Sequence, residues 1–477
     1  MQKKVLSNIV LILAVNLLVK PFWILGVDRH VQNSVGNEAY GQYINVFTIS
    51  LLFAMVLDFG VNNYTSSFIA KHPQMLQKKF GALFPLKIIF SVFYLLLTLL
   101  FGWMYGLTAP FMMMLLVLSV NQILSYFTLF FRANISGLQL FRQEAFLSVA
   151  DRGLMIFTAL LLALFFSGNL SIPLFIAAQT IGYLGACFIA LFFLLKPLQQ
   201  FSIKFDRLLV LAMLKKSWPY ALLALLMTVY TRSDYLLMKK LRADGDIQNG
   251  IYAVANRLLE AANMFAVLIS GLLLPVFSNM LKNRLDLRAT VKAANVLLIF
   301  PAFVVAFVAL FYGSEIMRII NHTGPEASAE VFKWVMFSFV SLCIMYIYGT
   351  LLTANGNLKI LNILAAIALV INLGLNQWFI PHLGAKGAAI TAVITQAFVA
   401  VFNTGFAFKK IPLGIEGVHW LKLSIAILGM FLLLYACSHF GVSLLPAMLC
   451  VSGFSVLILR FTRLVEAEQV RQMFQRN

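Results

Sequence analysis

Long apolar runs separated by short polar breaks fill almost the whole chain. A helix needs about 20 mostly apolar residues to cross a bilayer. Fourteen such runs lie near 5–27, 42–69, 81–105, 108–131, 145–167, 171–195, 217–238, 249–276, 292–312, 331–353, 358–380, 386–408, 418–438 and 442–460. The breaks carry turn or charge signals, among them KHPQMLQKK, KPLQQFSIKFDR, RADGDIQNG, NHTGPEAS and PHLGAKG. The strict alternation of a membrane β-strand is absent from these runs. The pattern predicts an all-α integral membrane protein of about 14 transmembrane helices.

Composition removes the alternatives. Only 11% of the 477 residues are charged and 61% are hydrophobic, against roughly 25% charged in a soluble domain. Lipid must therefore be the solvent for most of this chain. The net charge of +19 is scattered between apolar runs rather than gathered in a patch, so no nucleic-acid partner is expected. With the N-terminus in the cytoplasm, 23 of the 36 lysines and arginines fall in cytoplasmic segments and six on the opposite face. That asymmetry follows the positive-inside rule and places both termini in the cytoplasm. The first run is longer than the apolar core of a cleavable signal and lacks a small-residue cleavage pattern, so it is read as a permanent helix. No loop exceeds about 20 residues, too little chain for a soluble catalytic domain. Neither an enzyme nor a bound cofactor is expected. Cys187, Cys343, Cys437 and Cys450 lie inside apolar stretches without metal-ligand spacing and read as buried, inert thiols.

The chain also echoes itself. GNEAYGQYINVF around Gly36 and GDIQNGIYAVAN around Gly245 align Gly41-x-Tyr43 with Gly250-x-Tyr252 at an offset of 209. FRANISGLQLF, with Ala133, Asn134 and Gly137, pairs similarly with LLTANGNLKIL, with Ala354, Asn355 and Gly356. Both echoes suggest a duplication of six helices, giving parallel halves about a pseudo-twofold axis along the membrane normal. The expected division is an N-lobe at 1–196 with helices 1–6, a cytoplasmic linker at 197–216, a C-lobe at 217–410 with helices 7–12, and 411–477 with helices 13–14 and a cytoplasmic tail.

An ionisable side chain deep in a span costs at least about 2.5–3.5 kcal/mol, so each needs a reason. Lys87, Lys333 and Lys422 lie close enough to helix ends to snorkel to the headgroups. Lys20 does not. It sits one turn beyond Asn16 and is followed by Pro21, whose kink would free backbone carbonyls. Arg232 is its near-equivalent in the seventh run, with Asp234 beside it, and neither cation has another partner of matching depth nearby in sequence. Arg257 and Glu260 are i,i+3 neighbours on a stripe with Asn256 and Asn263. Asp58, Asn62 and Thr65 share one helical face, and Asn121, Ser125, Thr128 and Arg132 another. Ion pairs that hold the bundle together would explain Arg257–Glu260 and Asp151–Arg152. A wet cationic cavity between the lobes would explain Lys20 and Arg232 as well.

Such a cavity suits an anion. Guanidinium and ammonium groups match phosphate oxygens, and Asn, Gln, Ser and Tyr suit sugar hydroxyls. A lipid-linked sugar phosphate combines both needs, its tail remaining in the bilayer. Cation or drug pumping would instead favour carboxylates and aromatics.

The stretch NLGLNQWFIPHLGAKGAAIT at 372–391, with Asn372, Asn376, Pro381, Gly384, Gly387, Ala388, Ala389 and Thr391, resembles the eleventh–twelfth helix signature of a known branch of exporters. That branch is the polysaccharide transporter (O-antigen, Wzx-type flippase) group of the MOP superfamily. The early stretch with Gly36, Tyr40, Gly41, Tyr43, Asp58, Phe59 and Gly60 is similar to it as well, as are ISGLQLF at 135–141 and the Asp151–Arg152 pair. The resemblance implies a MATE-like bundle of two six-helix lobes plus two C-terminal helices, working by alternating access. It implies movement of undecaprenyl-pyrophosphate-linked oligosaccharide (an O-antigen, capsule or exopolysaccharide precursor) across the bacterial inner membrane. A gradient of H+ or Na+ would drive it, and a polysaccharide polymerase and chain-length machinery would be partners beside membrane lipids. The second run ends NNYTSSFIAK, where relatives often carry an arginine after the threonine, so a cation is not expected at that point.

The substrate-binding residues expected from these readings are Lys20, Arg232, Arg257, Asn16, Asn121 and Asn376, with Asp58, Asp234 and Glu260 tuning charge or carrying the coupling ion. The alternatives are a MATE-type drug or cation antiporter and a lipid II flippase.

Overall fold

The computed structural model describes residue 16 and residues 18–165, 171–198 and 207–461. Regular structure among these residues is helical throughout, as expected for backbone that must satisfy its own hydrogen bonds in lipid. After a π-helical segment at Trp23–Asp28 come α1 (Arg29–Leu52), α2 (Val61–Lys71), α3 (Leu76–Tyr105), α4 (Ala109–Gly137), α5 (Phe141–Phe165), α6 (Ile172–Leu195) and α7 (Arg207–Leu241). Then follow α8 (Gly245–Lys282), α9 (Arg288–Ile320), α10 (Pro325–Ala354), α11 (Leu358–Leu383), α12 (Ala385–Lys410), α13 (Gly417–His439) and α14 (Leu444–Phe461).

Eleven helices among the described residues are long and apolar enough to cross a membrane. They correspond to the third to thirteenth expected runs, and the shorter apolar helix Leu444–Arg460 to the fourteenth. The first run, 5–27, lies mostly outside the described residues. The second differs from the expected single helix at 42–69. Its helix stops at Leu52, a 3-10 turn follows at Ala54–Leu57, and Phe59 (φ 45°) and Gly60 (φ 78°) reverse the backbone before α2 begins. The polar loop expected before it is also helical. The chain stays coiled from Trp23 to Val35 and turns on Gly36 alone, at φ 80°. Only glycine takes that conformation without a steric cost. The π turn starts two residues after Pro21, whose missing N–H breaks the regular ladder.

The chain forms two compact units, Met1–Gly250 and Ile251–Asn477. In the first, α5 and α4 pack along α6, α2 lies on α4, and α7 lies on α1. Its core is aromatic: Phe80 stacks on Phe130 at 5.4 Å within a cluster that includes Val61, Leu83, Leu147 and Leu194. In the second unit α10 packs between α9 and α12, and α13 joins α9 to α14. Large apolar side chains also cover the outside, Trp103, Leu164 and Leu445 among them, which a bilayer tolerates and water does not. Cys343 and Cys437 are buried as expected, but Cys187 is only half-buried and Cys450 is exposed on the last helix. The peripheral α14 has too few neighbours to cover that face.

Candidate functional site

The first unit gathers charge around Lys20. Asn16 donates to the Ser148 hydroxyl at 2.8 Å, which lays the N-terminal segment against the first half of α5. One turn on, Lys20 is half-buried and lies in the electrostatic field of Asp151, Arg132, Arg152 and Glu144. Lys20 therefore has carboxylates at hand, contrary to the sequence expectation. They come from α5, over 120 positions away in sequence, where local reading does not reach. Arg132 of α4 donates through Nε (3.2 Å) and Nη2 (2.6 Å) to one oxygen of Glu144. Arg152 lies 3.8 Å from Asp151, with its guanidinium 6.0 Å from the Trp23 ring and 5.7 Å from that of Tyr183. The π turn after Pro21 thus carries the indole that faces Arg152.

Three cations and two carboxylates leave this cluster with one net positive charge. The side chains of Arg132, Glu144, Asp151 and Arg152 are 17–28% exposed. They are neither sealed in a dry core nor free on the surface, so an anion could still reach them. Glu144 went unread because it lies before the fifth apolar run, and Arg132, read on the polar face of the fourth run, was left out of the binding set because it counts as a cytoplasmic charge.

Asp58 lies at the break between α1 and α2 rather than within a helix. Its Oδ1 accepts from the Asn62 amide at 3.1 Å and from Lys87 Nζ at 3.1 Å. The same ammonium donates to the Leu57 carbonyl at 2.7 Å, one of the groups freed by the break. Lys87 does not snorkel. Its side chain is 3% exposed, because α3 begins at Leu76, about three turns before it, and encloses it with Phe130 5.5 Å away. A second unread carboxylate, Asp28, is buried and accepts from the Tyr40 hydroxyl at 2.8 Å.

The remaining expected residues are spread along other helices. Arg232 is half-buried and Asp234 buried on α7, both engaged by neighbours. Asn121 is buried on α4, and neither atom of its amide has a hydrogen-bond partner among the described residues. In the second unit Arg257 and Glu260 pair at 2.7 Å. Their stripe continues as a polar seam between α8 and α10, with Asn263 donating to the Tyr346 hydroxyl (3.1 Å) and Ser270 meeting Thr350 (2.8 Å). Asn376 is buried on α11 and donates to Asn372 at 3.0 Å.

A family model described as polysaccharide biosynthesis protein matches residues 5–281. Among solved structures, the lipid II flippase MurJ in an inward closed conformation is similar, with a TM-score of 0.64 and 18% identity over 92% of this chain and 96% of that one. An inward-facing multidrug resistance MATE family transporter of the MOP superfamily gives 0.62 at 14% identity, over 82% and 94%. A MOP superfamily transporter from Pyrococcus furiosus gives 0.58 at 15%, over 85% and 94%. No curated protein sequence matches. At these identities the structural likeness establishes the MATE-like fold.

Proposed function

Because the chain belongs to the polysaccharide biosynthesis protein family, we propose that it is a flippase for undecaprenyl-pyrophosphate-linked oligosaccharide units. It carries them across the bacterial inner membrane by alternating access, with both termini cytoplasmic and an H+ or Na+ gradient as the driving force. The observation that carries this reading is the partly accessible, net-positive cluster of Lys20, Arg132, Arg152, Glu144 and Asp151. Arginine matches phosphate oxygens with a planar fork and lysine with a point charge. The carboxylates keep the arginines oriented and limit the affinity, which a carrier needs if it is to release its cargo. Trp23 and Tyr183, both buried, face Arg152 and hold its guanidinium in position within the cluster. Arg232 in the first unit and Arg257 in the second add cations for the cargo, each within its own unit, the amide of Asn121 meets sugar hydroxyls, and Asp58, Asp234 and Glu260 tune the charge.

The test is complementation of a strain lacking its own exporter of this class. Wild-type protein restores surface polysaccharide, and Lys20→Gln with Arg152→Gln abolishes it at an unchanged membrane level. Full export by that double variant would remove the basis of the assignment. Drug sensitivity on deletion, with polysaccharide intact, would indicate a MATE-type antiporter instead. Death on depletion in a strain without surface glycan would indicate a lipid II flippase.

A further inference from the structure

One end of the first unit contains a cavity of about 710 Å³ that the cationic cluster does not use. It lies where α3 ends at Tyr105, α4 begins at Ala109 and α7 ends at Leu241, beside the part of α1 that follows Gly36. Under the orientation that the loop charges favour, this is the outer face. We propose that it binds the phosphate headgroup of an anionic membrane lipid, whatever cargo the protein transports.

Charge is the first argument. Lys239, Lys240 and Asp246 line the cavity. Lys239 is paired with Asp246, whereas Lys240 has no carboxylate partner among the described residues. The site therefore carries one net positive charge, suited to one phosphodiester. Gln42, half-buried, offers its amide to headgroup hydroxyls, while the buried Asn45 engages the Tyr105 hydroxyl. The Tyr105 hydroxyl is held in place by its bond to the Leu236 carbonyl at 3.1 Å.

Depth and shape supply the second argument. Phe101, Met104 and Phe111 form the apolar side of the cavity. Met104 is 71% exposed, and so is its neighbour Trp103. Trp103 and Tyr105 occupy the last turn of a membrane-spanning helix, where such aromatics mark the headgroup level. A phosphate beside Lys240 would then sit at its natural depth, with its chains running down over Met104. A free anion would have no use for that apolar wall.

Native mass spectrometry of the full-length protein in a non-ionic detergent tests the site, with phosphatidylglycerol, phosphatidylcholine and inorganic phosphate as probes. Phosphatidylglycerol is expected to bind more tightly than phosphatidylcholine. Lys240→Gln should weaken phosphatidylglycerol by about fivefold, the contribution of one lysine beside an anionic headgroup, and Lys240→Arg should retain it. Thr108→Trp, which obstructs the cavity without changing charge, should also remove it. Undiminished binding to Lys240→Gln would overturn the proposal, as would equal binding of the two lipids. Displacement of phosphatidylglycerol by a tenfold excess of inorganic phosphate would identify a free-anion site and equally overturn the lipid assignment.

Discussion

Gly41 and Gly250 are in backbone contact where α1 crosses the first turn of α8. A Cβ on Gly41 would lie 1.8 Å from the Asp246 carbonyl oxygen, and a Cβ on Gly250 would lie 2.0 Å from that of Asn37. The contact is reciprocal in the manner of a twofold axis. Gly41 and Gly250 are 209 residues apart, and so are Asn37 and Asp246, so each glycine meets the repeat-equivalent of the other's neighbour. The sequence echo therefore marks a surface that packs against its own copy.

Alanine at either glycine must push the helices apart. Gly41→Ala and Gly250→Ala are each expected to destabilise by about 1–3 kcal/mol through overpacking. The double variant should cost less than the two combined, because one displacement relieves both clashes. Gly374→Ala is the control, since nothing lies within 4 Å of its would-be Cβ, and it should melt at or above wild type. Thermal unfolding of the detergent-solubilised protein reads all four.

The Asp58–Lys87 pair gives a charge-balance prediction. Asp58→Asn leaves a buried ammonium without its counter-charge and should cost about 3–5 kcal/mol. Lys87→Met removes the buried charge but orphans the Leu57 carbonyl, so a smaller loss is expected. Adding Lys87→Met to Asp58→Asn should recover part of the stability. Melting temperatures and membrane yield of the three variants check the order. A double variant worse than Asp58→Asn would mean that Lys87 acts through the Leu57 carbonyl rather than through charge.

The fold was legible because lipid leaves few options. Apolar length fixes the helices. The echo around Gly41 was legible too, whereas the second echo joins glycines with different tasks. A Cβ on Gly137 would lie 2.7 Å from the Ile69 side chain, while Gly356 turns the chain at φ 77° with open space around it. The site was legible one residue at a time but not in its pairings. Lys20 shows as an anomaly in an apolar run, yet its partners Glu144 and Asp151 are brought to it only by the packing of α5. Lys87 was misread because its distance from a helix end depends on where α3 begins, and α3 begins at Leu76 rather than near residue 81.

Arg257 and Glu260 can be separated into scaffold and site by exchange. Arg257→Glu with Glu260→Arg keeps an i,i+3 pair but moves the cation by about 4.5 Å along α8. If the guanidinium meets the pyrophosphate, export should fall at least tenfold while the melting temperature holds within about 2 °C. Full export by the exchanged protein would make the pair structural alone.

Arg132 is expected to resist replacement by lysine. Its Nε and Nη2 converge on Glu144, a geometry that an ammonium cannot reproduce. Arg132→Lys should reduce surface polysaccharide several-fold at equal membrane level. Adding Glu144→Gln should not restore it, because the lysine would still lack the planar fork for phosphate.

The loop between α7 and α8 should be indifferent to mild acid. Arg242 donates to Asp244 through Nε at 2.7 Å and Nη2 at 3.1 Å, and Gln248 adds a third bond at 2.8 Å. Chiefly through the Arg242 bonds, the Asp244 carboxyl is held below the usual carboxylate range. A carboxyl depressed in the folded state contributes stability that is complete above its unfolded pKa, about 3.9, and is lost as pH falls through the folded one. The difference in melting temperature between wild type and Asp244→Asn should therefore be constant from pH 8 to pH 5 and shrink only below about pH 4. It should also be small, since Asp244 is 38% exposed and solvent screens the pair. A difference that changes between pH 5 and pH 8 would assign the titration to another group.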